Sequence, residues 1–110
     1  MKRWMVGSIA LATAVLSLAI APAGGQDRVE LQTRGEQLFV SQGCYGCHQI
    51  GKLGTPIGPE LSRIGARYGA SYLADWVRDP QSVRPSAHMP KLELSPQEIR
   101  ALAAYLSSLQ

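Results

Sequence analysis

The chain has 110 residues, with 11 Lys and Arg against 8 Asp and Glu, and a formal charge of +3. That length holds one domain and excludes a multidomain architecture, because a single core needs on the order of 100 residues. With 45% apolar and 17% charged residues, the chain is too hydrophobic for a disordered tail and too charged for a polytopic membrane protein.

Residues 4–25 carry no charge and follow Lys2 and Arg3. A basic start, an apolar run over residues 9–20 and the small residues of Ala21-Pro22-Ala23 predict a secretory signal, residues 1–23, cleaved after Ala23. Roughly 20 apolar residues also suffice to span a bilayer, so the alternative is an uncleaved anchor through residues 4–25. Either reading puts the remainder in the periplasm or on the extracytoplasmic face of a bacterial cytoplasmic membrane. Removing residues 1–23 leaves 87 residues with a net charge of +1 and about 39% apolar side chains. Much of the basicity therefore belongs to the export segment, and what remains collects in residues 52–91, net +3. A core this small commonly recruits a disulfide, a metal or a cofactor.

Residues 24–28 read as a linker to a domain over residues 29–110. Leu31, Gly35, Leu38, Phe39 and Gln42 then recur at helical spacing and stop at Gly43, which predicts an amphipathic helix ended by a glycine. That helix leads into Cys44-Tyr45-Gly46-Cys47-His48, which holds both cysteines of the chain. Two thiols separated by two residues can each form a thioether to one of the two vinyl groups of a single haem, and the adjoining His can offer its imidazole to the iron. Three other uses of these residues fit less well. A disulfide across two residues is strained, a redox dithiol belongs after a strand in a βαβ unit, and a zinc site wants four ligands where this cluster offers at most three. One covalent haem c on Cys44, Cys47 and His48 is the predicted cofactor.

Residues 49–70 are rich in glycine and proline and predict a loop with one turn around residues 60–64. Residues 71–79 predict a helix with Ser71 as N-cap, with Tyr72, Leu73, Trp76 and Val77 on one face and an end before Pro80. Beyond it lies a stiff segment, Arg84-Pro85-Ser86-Ala87-His88-Met89-Pro90. Met89 is the only Met left after residue 23, and His88 the only His besides His48. A lone Met usually fills a gap in a core, but between prolines a helical core position is not expected. Met89 is the predicted sixth ligand, with His88 as the alternative. The last element is the best marked: Ser95-Pro96-Gln97-Glu98 supplies an N-cap, a proline at the first helical position and a capping box. Ile99, Leu102, Ala103 and Leu106 form its apolar stripe, with Tyr105 and Leu109 beside it. With no strand alternation or repeat, the expected fold is all-α, three main helices and long loops around the haem.

This order of helix, Cys-x-x-Cys-His, Gly-Pro loop, Met-Pro and C-terminal helix resembles the class I monohaem c-type cytochromes over residues 29–110. Gly35 and Phe39 with Leu102 and Tyr105 resemble the family's helix crossing, where a glycine lets two backbones approach. Gly58-Pro59 resembles the loop whose proline carbonyl accepts the second ring N–H of the haem-ligating His, here His48. Residues 72–80 leading to His88-Met89-Pro90 resemble the cytochrome domains fused to or associated with bacterial haem-copper oxidases, above all the C-terminal domain of some oxidase subunits II, without the cupredoxin part. The resemblance implies Arg63, Arg67, Tyr68 and Trp76 as candidates to bond the haem propionates. It also implies one-electron relay by a six-coordinate His48/Met89 haem between respiratory redox proteins, a terminal oxidase or another respiratory complex. Nucleic acid is not an expected partner, and the protein is not expected to be an enzyme. The alternatives are an anchored cytochrome subunit of a larger respiratory complex, or a ligand-binding haem sensor or peroxidase.

Overall fold

The computed structural model describes residues 1–2, 7–20 and 23–110. Parts of the predicted export segment, residues 3–6 and the Ala21-Pro22 half of the cleavage site, lie outside the described residues. Residues 7–20 are exposed and belong to no helix or strand. Among the described residues no helix is long and apolar enough to cross a membrane.

The first helix, α1 (Ala23–Ser41), starts earlier than the hydrophobic spacing suggests. Residues 24–28, expected as a linker, are helical, although residues 24–30 are all exposed and add nothing to the core. A glycine pair weakens a helix without forbidding it, and no proline interrupts residues 23–41. The glycine stop is where the spacing puts it: Gly43 takes a φ of 75° and donates its N–H to the Val40 carbonyl at 3.1 Å. A 3-10 turn (Cys44–Gly46) follows directly.

The glycine-rich region is more ordered than a loop. β1 (Gln49–Ile50) and β2 (Leu53–Gly54) pair antiparallel, Gln49 opposite Gly54 and Ile50 opposite Leu53. The expectation of no strands is corrected here, because two-residue strands are too short to show alternation. The turn expected at residues 60–64 is a short helix displaced toward the C-terminus, α2 (Ile64–Arg67). Helix α3 (Ala70–Arg78) begins before Ser71, and its N-cap is Gly69 without a side-chain bond, so Ser71 caps nothing. It does end before Pro80. That proline then opens a single-turn helix absent from the sequence reading, α4 (Pro80–Val83), at the first helical position where its missing N–H costs nothing.

Helix α5 (Pro96–Ser108) forms as its sequence dictates. Ser95 Oγ accepts from the Glu98 N–H at 3.2 Å, and a Glu98 carboxylate oxygen accepts from the Ser95 N–H at 2.9 Å. Such a cap stabilises a helix by about 1 kcal/mol. Ile99, Leu102, Ala103, Tyr105 and Leu106 are buried and join Phe39, Leu61, Leu73 and Val77 in one core. The molecule is thus mostly helical, with α1 and α5 making its largest contact between elements. At their crossing Phe39 meets Tyr45 edge-on at 4.8 Å and Tyr105 at 5.9 Å between ring centroids.

Burial, with Tyr45 and then Glu36 adding to it, pushes the Tyr105 phenol up to about 12. The folded protein therefore keeps a proton that the unfolded chain releases near pH 10. The stability this represents is complete below pH 10 and is lost as pH rises through about 12. Unfolding free energies measured from pH 9 to 12 should fall in wild type, and Tyr105→Phe should flatten that alkaline slope. An unchanged slope in the variant would show that another group carries it.

Candidate functional site

The elements line a partly open cavity, walled among others by Phe39, Cys44, His48, Leu61, Trp76, Met89, Leu102 and Leu106. It contains about 1090 Å³ of space, part of it open to solvent. Its wall is predominantly apolar, with a few polar groups at defined places, the usual build of a cofactor site.

His48 enters from the end of the 3-10 turn. Its Nδ1 lies 2.7 Å from the Pro59 carbonyl oxygen, to which it donates, because a carbonyl can only accept. The proton is thereby placed on Nδ1 and the lone pair on Nε2. The backbone around the ring is shaped for it: a Cβ on Gly58 would stand 2.7 Å from His48 Cε1 and 2.9 Å from Nδ1. Gly54, at φ 99°, lies against the His48 carbonyl and 2.8 Å from Tyr45 Cδ1, again measured from a Cβ it lacks. The β-turn is tied to the Pro59 segment by the Gly51 N–H, which donates to Ser62 Oγ at 2.6 Å, and Ser62 is itself held by Glu60, which accepts from both its N–H and its hydroxyl. Those bonds hold the Glu60 carboxyl below its usual range.

Cys44 and Cys47 are not joined to each other in a disulfide. Cys44 lines the cavity and its pKa is raised, chiefly by burial. Cys47 is exposed and stands outside the cavity lining. Of the other sequence candidates, Pro59, Arg67, Tyr68, Trp76 and Met89 all line the cavity, whereas Arg63 and His88 are exposed and do not. Met89 is held at both ends. Its carbonyl accepts from Gln81 Nε2 at 2.9 Å, and its sulfur from the Trp76 indole N–H at 3.1 Å. The indole donor, expected to face a propionate, is thus directed at the thioether.

Arg84 and Tyr72 also line the cavity, although neither was expected as a cofactor contact. Arg84 places its guanidinium carbon 5.9 Å from the centre of the Trp76 ring. Tyr72 stacks on Tyr68 at 4.4 Å and 14° and faces Trp76 at 6.5 Å and 24°. Tyr72 and Trp76 are four apart on α3, on the face the spacing predicts, whereas Tyr68 precedes that helix in extended backbone and joins the stack only through the fold. Arg84 had no such signal, since it reaches the cavity only because α4 turns the chain back.

The residues present suit a haem held by two thiols and an imidazole. The His48 Nε2 lone pair is left to bind iron, Cys44 and Cys47 stand two residues before and one residue after the 3-10 turn's last glycine, and the apolar wall is broken by Arg67, Arg84 and Tyr68 as partners for ionised propionates. Among the described residues no three His, Cys, Asp or Glu side chains gather as a site for a bare metal ion.

Comparison with known proteins agrees with this geometry. Residues 32–110 match a family model described as Cytochrome c. Over 89 residues the chain is 38% identical to cytochrome c oxidase subunit 2 of Alkalihalophilus pseudofirmus, a match covering 73% of this chain and 26% of that protein. Over 86 residues it is 27% identical to the C subunit of nitric oxide reductase from Stutzerimonas stutzeri, covering 73% of this chain and 59% of that one. The chain thus spans between about a quarter and three fifths of these relatives' length. The crystal structure of the c-type cytochrome SorU from Sinorhizobium meliloti superimposes with a TM-score of 0.58 at 23% identity, over 74% of this chain and 92% of that one. That likeness concerns the fold.

Proposed function

The chain belongs to the cytochrome c family, and from that premise we propose that it relays single electrons between respiratory redox proteins outside the cytoplasmic membrane, with His48 and Met89 as the axial ligands of its haem. Membership makes it an electron carrier with one covalent haem c, for which Cys44 and Cys47 are its two cysteines. When bound, the haem supplies reversible one-electron chemistry at iron.

The protein's part is to hold and insulate. Donation from His48 Nδ1 to the Pro59 carbonyl fixes the tautomer and raises the basicity of Nε2. The apolar wall excludes water and penalises the extra charge of the oxidised state, and a thioether ligand favours the reduced state further. Both effects raise the potential. The observation that carries the reading is that His48 and Met89 line the same cavity, with the Met89 carbonyl and sulfur each fixed by a hydrogen bond.

The rival, an open haem site for peroxide or a gas, wants a distal acid–base group. His88 is exposed and outside the lining, and Glu60, which does line the cavity, is bound to Ser62 beside the His48–Pro59 contact. The ferric absorption spectrum tests the ligand set: a far-red band marks sulfur on iron, and a high-spin spectrum without it would sink the carrier reading.

The relatives' names favour a second form of the same function, a subunit within a respiratory complex. Crosslinking in native membranes followed by mass spectrometry separates the two. A chain starting at Gly24 and crosslinked in passing to a redox complex is the expected result for an exported carrier. An intact residue 1–23 segment in stable complex would instead make it an anchored subunit, and a cytoplasmic partner would overturn the location.

A further inference from the structure

Residues 84–90 reach the cavity as a loop with little backbone bonding of its own. Pro85 and Pro90 have no N–H to give. The Ala87 N–H donates to the Arg84 carbonyl at 2.9 Å, and beyond that turn residues 88–94 make no hydrogen bond to another backbone group among the described residues. One side chain stands in for the missing bonds. The Gln81 amide nitrogen carries two N–H donors, and Nε2 lies 2.9 Å from both the Ala87 and the Met89 carbonyl oxygens. Gln81 is itself exposed and forms no part of the cavity wall, so it acts on residue 89 through the backbone alone.

The donor stands on a firm base. Pro80 beside it is fully buried, the Arg84 N–H donates to the Pro80 carbonyl at 2.9 Å, and Ser82 donates to the Asp79 carbonyl from its N–H at 3.1 Å and its hydroxyl at 2.7 Å. A one-turn helix fixed at both ends thus holds a segment that scarcely holds itself. The thioether follows its own backbone, and moving residues 87–89 away from the cavity breaks both Gln81 bonds at once. We infer that Gln81 is a positioning residue, a latch that slows the departure of Met89 from the cavity by holding the backbone of residues 87–89. The inference rests on the reading of Met89 as axial ligand and goes beyond it, by assigning the permanence of that ligand to a side chain that touches neither the sulfur nor the cavity.

The test uses the full chain carrying its haem, with imidazole as competitor for the sixth position of the ferric iron. At high imidazole the rate at which the far-red band disappears stops rising, and that limiting rate is the rate at which residue 89 leaves. Gln81→Met removes both donors at similar length, and Gln81→Glu removes them at the same shape while adding charge. Each should raise the limiting rate about tenfold, the effect of two ordinary hydrogen bonds broken on opening, while the midpoint potential and the band before imidazole is added stay those of the parent. Gln81→Lys returns N–H donors on a stem one atom longer and should bring the rate back toward the parent's. Because residue 81 is exposed, these substitutions leave the core intact. An unchanged limiting rate in Gln81→Met overturns the inference even where Gln81→Glu is faster, since charge alone then accounts for the faster variant. A rate raised equally in all three overturns it too, because side-chain shape and not donation then holds the loop. Absence of the band from the unsubstituted protein overturns the Met89 reading itself and this inference with it.

Discussion

Gly35→Ala should lower the stability of the loaded protein by about 2 to 4 kcal/mol, more than any other single methyl group added to α1. A Cβ at residue 35 would overlap the Ala101 carbonyl oxygen and stand 2.6 Å from Tyr105 Cβ. Ala101 O belongs to the backbone of α5, so the obstacle is not a side chain that can rotate away. Relief requires the two helices to separate, and the aromatic contacts of Phe39 with Tyr45 and Tyr105 lie on the same seam. Overpacking in ordinary cores costs about 1 to 3 kcal/mol, and opening this crossing adds lost burial of Leu102 and Tyr105. Against a total of about 5 to 15 kcal/mol for a natural domain, the variant should show a large drop in the urea midpoint, and Gly35→Val should not fold. Gly69→Ala is the control: nothing stands within 4 Å of a Cβ there, so it loses only the preference for glycine at the α3 N-cap, under about 1 kcal/mol. Equal midpoints for the Gly35 and Gly69 variants would refute the close-approach account.

Gly35 also shows what the sequence could disclose. Its place on the α1 face and its partner Tyr105 were legible from spacing and from family resemblance, because helix crossing depends on local periodicity and one missing Cβ, whereas the other atoms against it are the Ala101 backbone and not Leu102. The α5 cap was legible for the same reason, since Ser95, Pro96 and Glu98 act within four residues of each other. The attachment motif and His48 sit in one pentapeptide. What could not be read depends on chain reversal. Gly51 at φ 59° turns β1 onto β2 through strands too short to alternate. Pro80 ended α3 as expected and also began α4, and only the second of those roles brings Gln81 to Met89 and Arg84 onto Trp76. Gly65 belongs with them: its N–H donates to the Leu109 carbonyl at 2.7 Å, and a Cβ there would overlap the Ser107 carbonyl oxygen. It ties α2 to the end of α5 across more than forty residues, with no local signal. The charge of +3 with which the chain presents itself was likewise a poor guide to its site, where Arg67 and Arg84 at the cavity matter more than the total.

Met89→Leu should abolish the far-red band of the ferric protein and lower its midpoint potential by on the order of 0.2 V, about a quarter of the roughly 0.8 V over which axial ligands set haem potentials. Leucine approximates the volume of methionine, so the cavity wall stays filled and the substitution costs under about 1.5 kcal/mol in packing. What disappears is the sulfur, and with it a soft ligand that favours the reduced state. The Trp76 N–H loses its acceptor as well, and a half-buried donor left without a partner adds about 1 kcal/mol. The backbone need not move, because Gln81 holds the Met89 carbonyl and not its side chain. Two spectra are then open to the variant. A high-spin ferric spectrum means that the sixth position is vacant or holds water. A low-spin spectrum without the far-red band means that a neighbour has replaced sulfur, and His88, exposed on the adjacent position, is the first to examine. The double variant Met89→Leu with His88→Ala separates these cases, since only the second should revert to high spin. If Met89→Leu kept both the far-red band and the potential of the parent, sulfur from residue 89 could not be on the iron, and the assignment of this cavity to a His48/Met89 electron carrier would fail.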